Sequence, residues 1–490
     1  MRKENNVIAE IAGGEERKLG GIDQPLQAKA VPPWLMRSVI YQVFLRSFTP
    51  EVNLSAATAR LPELKTLGVD VIYLSPVCLQ DEDLDRRYWS PRQSLFENPR
   101  NPYRVKDYYK IDPEYGTESD LKTFVRTAHE LGFRVLLDIV YMHCGPNASF
   151  IQEHPDFVQW EDGQVKITSY HFPLINFESE TLREYLIQNM EYWVREFEVD
   201  GYRCDVSNGA PLEFWEAARA RIEQIAPEVI MLAEGNRIED QLKAFDMSYC
   251  FRAAFGIHKV FFQSRPASTL REISKEMKEE YPRNTRFIRY IENHDIAHDT
   301  GQGCLRRPFH TDESWARRVN FQGLPAEGLQ PNNRPDVAWG FEAVNCLLVY
   351  CFTQDGIPLL YNGQEVADVS MQNIFGNVAV EWSRLQTPEG MSRYRLCQDL
   401  CRMRHEEAVL ADGDMCWLDT PESDRLLHFS RSNTSETIVV LLNVSKDAVV
   451  IGKQAIDISA FRTLISSGIH AEGDEIHLSP YAYYVGKMNR

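Results

Sequence analysis

Asp200–Glu234 reads DGYRCDVSNGAPLEFWEAARARIEQIAPEVIMLAE. Asp200 to Asp205 has the form of a strand, Pro211 to Ile225 of a helix, and Glu228 to Ala233 of a second strand. A strand–helix–strand unit of this length predicts two parallel neighbours in one sheet. Both strands run from apolar residues into an acid, Asp205 in one case and Glu234 in the other. Arg203 and Asp205 are two apart and so point to one side of their strand. Glu234 follows Asp205 by 29 residues, about one αβ step, so adjacent strands can bring the two carboxylates together.

The same alternation extends in both directions. Upstream, Val39–Phe44, Val69–Leu74 and Arg134–Val140 are apolar enough to be strands covered on both faces. Between them lie helical patterns, one with Leu61, Leu64 and Leu67 ended by Gly68. Another starts at a capping box of Thr117 and Asp120 and ends at Gly132. Ser75 to Gly116 reads as a long polar loop. Downstream, strands are predicted at Asp246–Phe251, Arg286–Ile291 and Ile357–Tyr361. Eight strands interleaved with helices predict a (β/α)8 TIM barrel. No Gly-x-Gly-x-x-Gly follows the first strand, which removes the main sequence support for a dinucleotide fold. After a helix at about Ser392–Glu407 only short strands follow, predicting a C-terminal antiparallel β-sandwich. The expected division is an N-terminal arm at 1–33, a catalytic barrel at 34–144 and 177–408, a short inserted domain at 145–176 after the third strand, and an all-β domain at 409–490.

Composition narrows the function. The chain has 490 residues, 43% of them hydrophobic, so it can bury large cores. Lys plus Arg number 53 and Asp plus Glu 71, a net charge of −18. That balance argues against nucleic acid or an anionic membrane surface as the main partner and suits a neutral substrate. The oligomeric state is left open. The ten Cys are scattered without a Cys-x-x-Cys pair. They read as buried hydrophobes of a reduced compartment rather than zinc or dithiol motifs. No apolar leader or membrane-length apolar run is present, so a cytoplasmic address is expected.

Active residues of a barrel gather where strands end. The candidates are Asp138 and His143, Arg203 and Asp205, Glu234, and the Asn293-His294-Asp295 run. Glycosyl transfer fits, because it uses one protonated and one ionised carboxyl. Hydrolysis at a divalent ion fits the same residues, and the pattern alone leaves the two open.

These segments resemble the α-amylase family of glycoside hydrolases, glycoside hydrolase family 13, over about residues 34–490. Asp138-Ile-Val-Tyr-Met-His143, Gly201-Tyr-Arg203-Cys-Asp205, the Glu234 segment and Glu292-Asn293-His294-Asp295 match its four motifs in order. Asn101 to Tyr108 and Gly356 to Glu365 match two flanking pieces. The resemblance implies a retaining glycosidase acting on α-linked glucans or short malto- or isomalto-oligosaccharides through a covalent glucosyl-enzyme. Asp205 would be the nucleophile, Glu234 the general acid/base and Asp295 the third catalytic carboxylate. Tyr103, His143, Arg203 and His294 would bind substrate, with Tyr103 as a stacking platform and Arg203 keeping Asp205 ionised at a low pKa. Asp138 would support them. The alternatives are a transglycosylase of the same family and, in another class, an inactive carbohydrate-binding or structural homologue.

The sequence departs from the family at Met142, where an asparagine usually helps to bind a structural calcium. A thioether is a poor ligand for that hard cation. The expectation is therefore no cofactor and no metal site. The Asp205-Val206-Ser207-Asn208 stretch lacks the Lys-His pair of endo-acting α-amylases, and with Val206 it points to short substrates. The long stretch 296–340 is expected to roof the site.

Overall fold

The computed structural model describes residues 26–489 apart from 91–92, 94–97, 263–264, 299–340, 369 and 371. Most of the expected N-terminal arm, and nearly all of the expected roof at 296–340, lie outside the described residues.

The strands in chain order begin with β1 (Ile40–Val43), β2 (Val71–Leu74), β3 (Cys78–Gln80), β4 (Val105–Ile111) and β5 (Arg134–Ile139). They continue with β6 (Trp160–Glu161), β7 (Gln164–Val165), β8 (Gly201–Cys204), β9 (Ile230–Ala233), β10 (Met247–Ser248), β11 (Ile288–Arg289) and β12 (Ile357–Tyr361). Eight of these form one parallel sheet in the order β10-β9-β8-β5-β2-β1-β12-β11. A parallel bridge between Ser248 and Phe287 joins the two ends of that order and rounds the sheet into a barrel. Helices Leu54–Leu67, Glu118–Glu130, Glu180–Phe197 and Leu212–Ile222 fill the crossovers between consecutive strands of its first half. The Thr117–Asp120 capping box forms as the sequence predicts.

Period-two alternation sorts the strand side chains. Ile40, Val71, Tyr73, Leu136, Ile230, Leu232, Ile288, Ile357 and Leu359 pack together inside the ring. Their neighbours Tyr41, Ile72, Leu137, Tyr202, Met231 and Leu360 face the helices in a second, larger core. A strand apolar on both faces is what this two-sided burial needs. Gly201 opens β8 because a Cβ there would fall 1.9 Å from the carbonyl oxygen of Ile230 on β9.

One stretch differs from the sequence reading. Within the loop expected at 75–116, β3 and β4 pair antiparallel with two register shifts. Those shifts break the alternation that would have announced the strands. The region 145–176 contains a single turn at Pro155–Phe157 and the pair β6–β7. Bridges from His143 to Leu174 and from Val158 to Ile175 lay it beside the end of β5.

The C-terminal strands are β13 (Asp414–Trp417), β14 (Leu426–Ser432), β15 (Glu436–Asn443), β16 (Val449–Gly452), β17 (Arg462–Glu472) and β18 (Glu475–Asn489). They pair antiparallel in the order β13-β14-β15-β18-β16, with β17 also on β18. Alternation splits this sheet too. Ile438, Val440 and Leu442 join the core shared with helix Phe341–Thr353, while Val439 and Leu441 pack with Val449, Ile451 and Ile476 on the other side.

Candidate active site

Inward parity continues past the last strand residues. Leu136 faces the ring interior, so Asp138 does too; Ile230 and Leu232 lead in the same way to Glu234. Register sets Asp138 opposite Arg203 and Arg203 opposite Leu232. Asp138, Arg203, Asp205 and Glu234 therefore meet at the C-terminal mouth of the barrel.

Arg203 is the hub. Its side chain is fully buried. Nη1 donates to Asp138 Oδ1 at 2.7 Å and to Asp205 Oδ1 at 2.8 Å. Nη2 lies 2.7 Å from Glu234 Oε2, an ion pair rather than a directed hydrogen bond. The rings of Tyr73, Tyr103 and Tyr249 stand 5.6–5.9 Å from the guanidinium. Burial works against its charge, but Asp138 and Glu234 hold its pKa well above the ordinary value.

One cation among three carboxylates leaves an excess of negative charge in a dry place. Burial pushes Glu234 up to about 7; Arg203 opposes the rise and Asp295 adds to it. Asp205 is also raised, by burial first, against the pull of Arg203 and with the push of Glu234. The sequence reading expected a low Asp205 pKa. It counted the arginine and not the desolvation that comes with it.

A second chain of bonds forms the wall. Gln42 Nε2 lies 2.7 Å from His294 Nδ1, and His294 Nε2 lies 2.7 Å from the Tyr103 hydroxyl. Tyr103 donates to Asp138 Oδ2 at 2.9 Å, and Tyr73 donates to the same oxygen at 2.8 Å. A donor at Nδ1 and an acceptor at Tyr103 assign the proton to His294 Nε2. The His294 ring stacks between Phe44, at 5.5 Å, and Tyr103, at 5.2 Å. Tyr103 is thus buried with a ring contact to His294. His143 donates from Nε2 to the Tyr103 carbonyl at 2.8 Å and packs on Phe172. Burial lowers its pKa to about 4, so the ring is neutral. Asp295 lies in the first turn of the short helix His294–His298 and is 44% exposed, with Oδ2 3.4 Å from His294 Nε2.

The expected residues are therefore gathered, and others join them. Gln42, Phe44 and Tyr73 were read only as strand residues, because an amide or a ring within an apolar run carries no signal of function. The backbone of Val206 was invisible for another reason: its role is conformational. Val206 has φ 38°, and its N–H donates to Glu234 Oε2 at 2.8 Å. Met142 lies against Gly209, where an added Cβ would meet its Cγ at 2.4 Å. A cavity of about 500 Å³ lined by Thr66, Arg395, Arg402 and His405 holds none of these groups.

The expectation of no cofactor and no metal site needs correction. On the hairpin of β17 and β18, one ligand atom each from His470, Glu472 and His477 lie within 4.8 Å of one another, a group able to hold a metal ion. No sequence signal announced it: β17 is mostly exposed and carries no apolar alternation, and only its pairing with β18 sets His470 opposite His477.

Comparison with known proteins agrees with this architecture. Residues 52–170 match the family model described as alpha amylase, catalytic domain. An alpha-amylase MalA of Haloarcula japonica is 26% identical over 86% of this chain and 58% of its own length. A cyclomaltodextrinase of Geobacillus thermopakistaniensis is 23% identical over 86% of this chain and 71% of its own. This chain thus spans little more than half of the first of these relatives. The crystal structure of an alpha-amylase from Lactobacillus plantarum superposes with a TM-score of 0.73 at 24% identity, covering 93% of this chain and all of that one. A maltogenic alpha-amylase AmyB from Thermotoga neapolitana gives 0.72 at 21% identity, over 93% of this chain and 99% of that one. A parallel barrel followed by an antiparallel sheet is the fold this chain shares with these solved structures. Over residues 52–170 the chain matches the alpha-amylase catalytic domain, and along most of its length it is similar to proteins named alpha-amylase and cyclomaltodextrinase.

Proposed function

We propose that this chain is a retaining glycosidase that cleaves short α-linked glucosides through a covalent glucosyl-enzyme. The observation that carries the reading is the single buried guanidinium of Arg203 in contact with Asp138, Asp205 and Glu234. Asp205 is the nucleophile and Glu234 the acid/base. Asp295 is the third carboxylate, and Tyr103, His143 and His294 line the sugar site. The catalytic unit corresponds to about residues 34–408 without the 145–176 insertion, followed by the all-β unit.

Burial raises the Glu234 pKa to about 7, so a large share of the carboxyl keeps its proton near neutral pH, where an ordinary glutamate is ionised. Its Oε2 already accepts from Val206 and faces Arg203, so Oε1 carries the proton toward the leaving oxygen. As the bond to the leaving group breaks, Asp205 attacks the anomeric carbon from the opposite face. Arg203 stabilises its ionised form through Oδ1. Glu234, now ionised, takes a proton from water, which displaces Asp205 and restores the original configuration.

Preference for short substrates rests on Val206 and the missing Lys-His pair, and on relatives named cyclomaltodextrinase and intracellular maltogenic amylase. A cytoplasmic address is part of the same reading. It is supported by eight buried free thiols among the described residues, and no helix of those residues is long and apolar enough to cross a membrane. Incubation with maltotriose, maltoheptaose, isomaltotriose, sucrose and trehalose, with chromatography of products, tests the function. Hydrolysis of the malto- or isomalto-oligosaccharides is expected. Elongated products would make the chain a transglycosylase, and five intact sugars would reject an enzyme.

A further inference from the structure

The tip of the β17–β18 hairpin gathers four side chains that the proposed reaction does not use. The two strands pair His470 with His477 and Glu472 with Glu475 directly across the ladder. Because residues two apart share a face, all four stand on one side of the hairpin. The two imidazoles stack with ring centres 4.9 Å apart and planes within 9°. His477 Nε2 lies 3.4 Å from Glu475 Oε2 and 4.0 Å from Glu472 Oε2. Glu472 facing Glu475 is an unfavourable cross-strand match of like charges. A dication between them would reverse its sign.

The tip is also held in place. Lys453 donates from Nζ to the Gly473 carbonyl at 2.5 Å, and its backbone N–H donates to the Asp474 carbonyl at 2.8 Å. The ligand atoms of His470, Glu472 and His477 already lie within 4.8 Å of one another. Tetrahedral zinc needs ligand atoms about 3.3–3.5 Å apart. The side chains of His470, Glu472 and Glu475 are exposed and His477 is half-buried, so rotation about their side-chain bonds can close the remaining gap.

We propose that His470, Glu472 and His477, with Glu475 available as a fourth ligand, form a surface site for a borderline divalent transition metal, of which zinc is the type, that staples the two strands. Two imidazoles favour such a metal over calcium or magnesium, which take oxygen ligands. Isothermal titration of the full chain with zinc chloride, beside His470→Ala and His477→Ala, tests this. The unmodified chain is expected to bind one equivalent more than either variant, and zinc is expected to raise its melting temperature but not theirs. Cobalt in place of zinc should give visible bands that both variants lose. Neither residue is in a hydrophobic core, so both variants should melt at the parent's temperature without metal. Equal stoichiometry in all three proteins, or displacement of zinc by equimolar calcium, would overturn the site.

Discussion

The backbone N–H of Val206 donates to Oε2 of Glu234 at 2.8 Å, so the residue that follows Asp205 on its strand end holds the carboxyl on the next strand. The same residue stands at φ 38°, a left-handed conformation costly for a β-branched residue. Two consecutive strand ends are thereby fixed to each other by one strained peptide, beside the guanidinium that joins the same two carboxyls.

Val206→Gly keeps the N–H and relieves the left-handed strain. Elsewhere Val→Gly costs about 1 kcal/mol in backbone entropy alone. Here denaturant melting should show stability unchanged or raised by up to about 1 kcal/mol. A loss above that range would mean that the side chain, not the peptide, matters at this place.

Glu234 keeps its proton in the fold up to about pH 7, whereas an ordinary glutamate releases it near 4.5. The fold thus binds more protons than the unfolded chain in that interval. Stability falls as pH rises from about 4.5 to 7 and levels off above. Glu234→Gln removes this dependence. Urea melts should show the variant more stable than the parent by up to about 3 kcal/mol at pH 8 and equal to it near pH 4. The same shift puts the alkaline limb of kcat/KM near pH 7. A variant less stable than the parent at pH 8 would contradict the raised pKa.

Arg203→Lys leaves a point charge where a fork contacts three carboxylates. We expect kcat/KM to fall by at least about 100-fold. Arg203→Met should cost about 3–5 kcal/mol of stability, because it leaves buried carboxylates uncompensated. Retention of half the activity in the lysine variant would remove Arg203 from the central role.

Tyr103→Phe breaks the link between His294 and Asp138 while Tyr73 and Arg203 still hold Asp138. The expected cost is about 1–3 kcal/mol in stability, with a rise in KM for maltotriose. Unchanged stability together with unchanged KM would show that the hydroxyl chain is idle.

The sequence makes the barrel legible where burial is two-sided, as in β2, β5 and β12, since such runs are apolar throughout. The acids beyond β8 and β9 stand out against those runs. Polar edge structure is different. β17 is mostly exposed, so no apolar alternation marks it, and the pairing of His470 with His477 depends on that strand. Pro480 breaks the apolar alternation of β18. The strand runs on through a left-handed Tyr481 at φ 56°. Gln42 and Phe44 could not be assigned to the site, since their contacts with His294 join residues 252 and 250 positions away.

The central claim is that Asp205 and Glu234 divide the work of a retaining reaction. Its most direct measurement is the product formed by Glu234→Ala from α-glucosyl fluoride in the presence of azide. Fluoride departs without an acid, so Asp205 should still form the glucosyl-enzyme, and azide, which needs no base, should release it as α-glucosyl azide. A β-glucosyl azide would instead mean that azide attacks the substrate directly in place of Glu234, and would contradict the assignment of Asp205 as nucleophile.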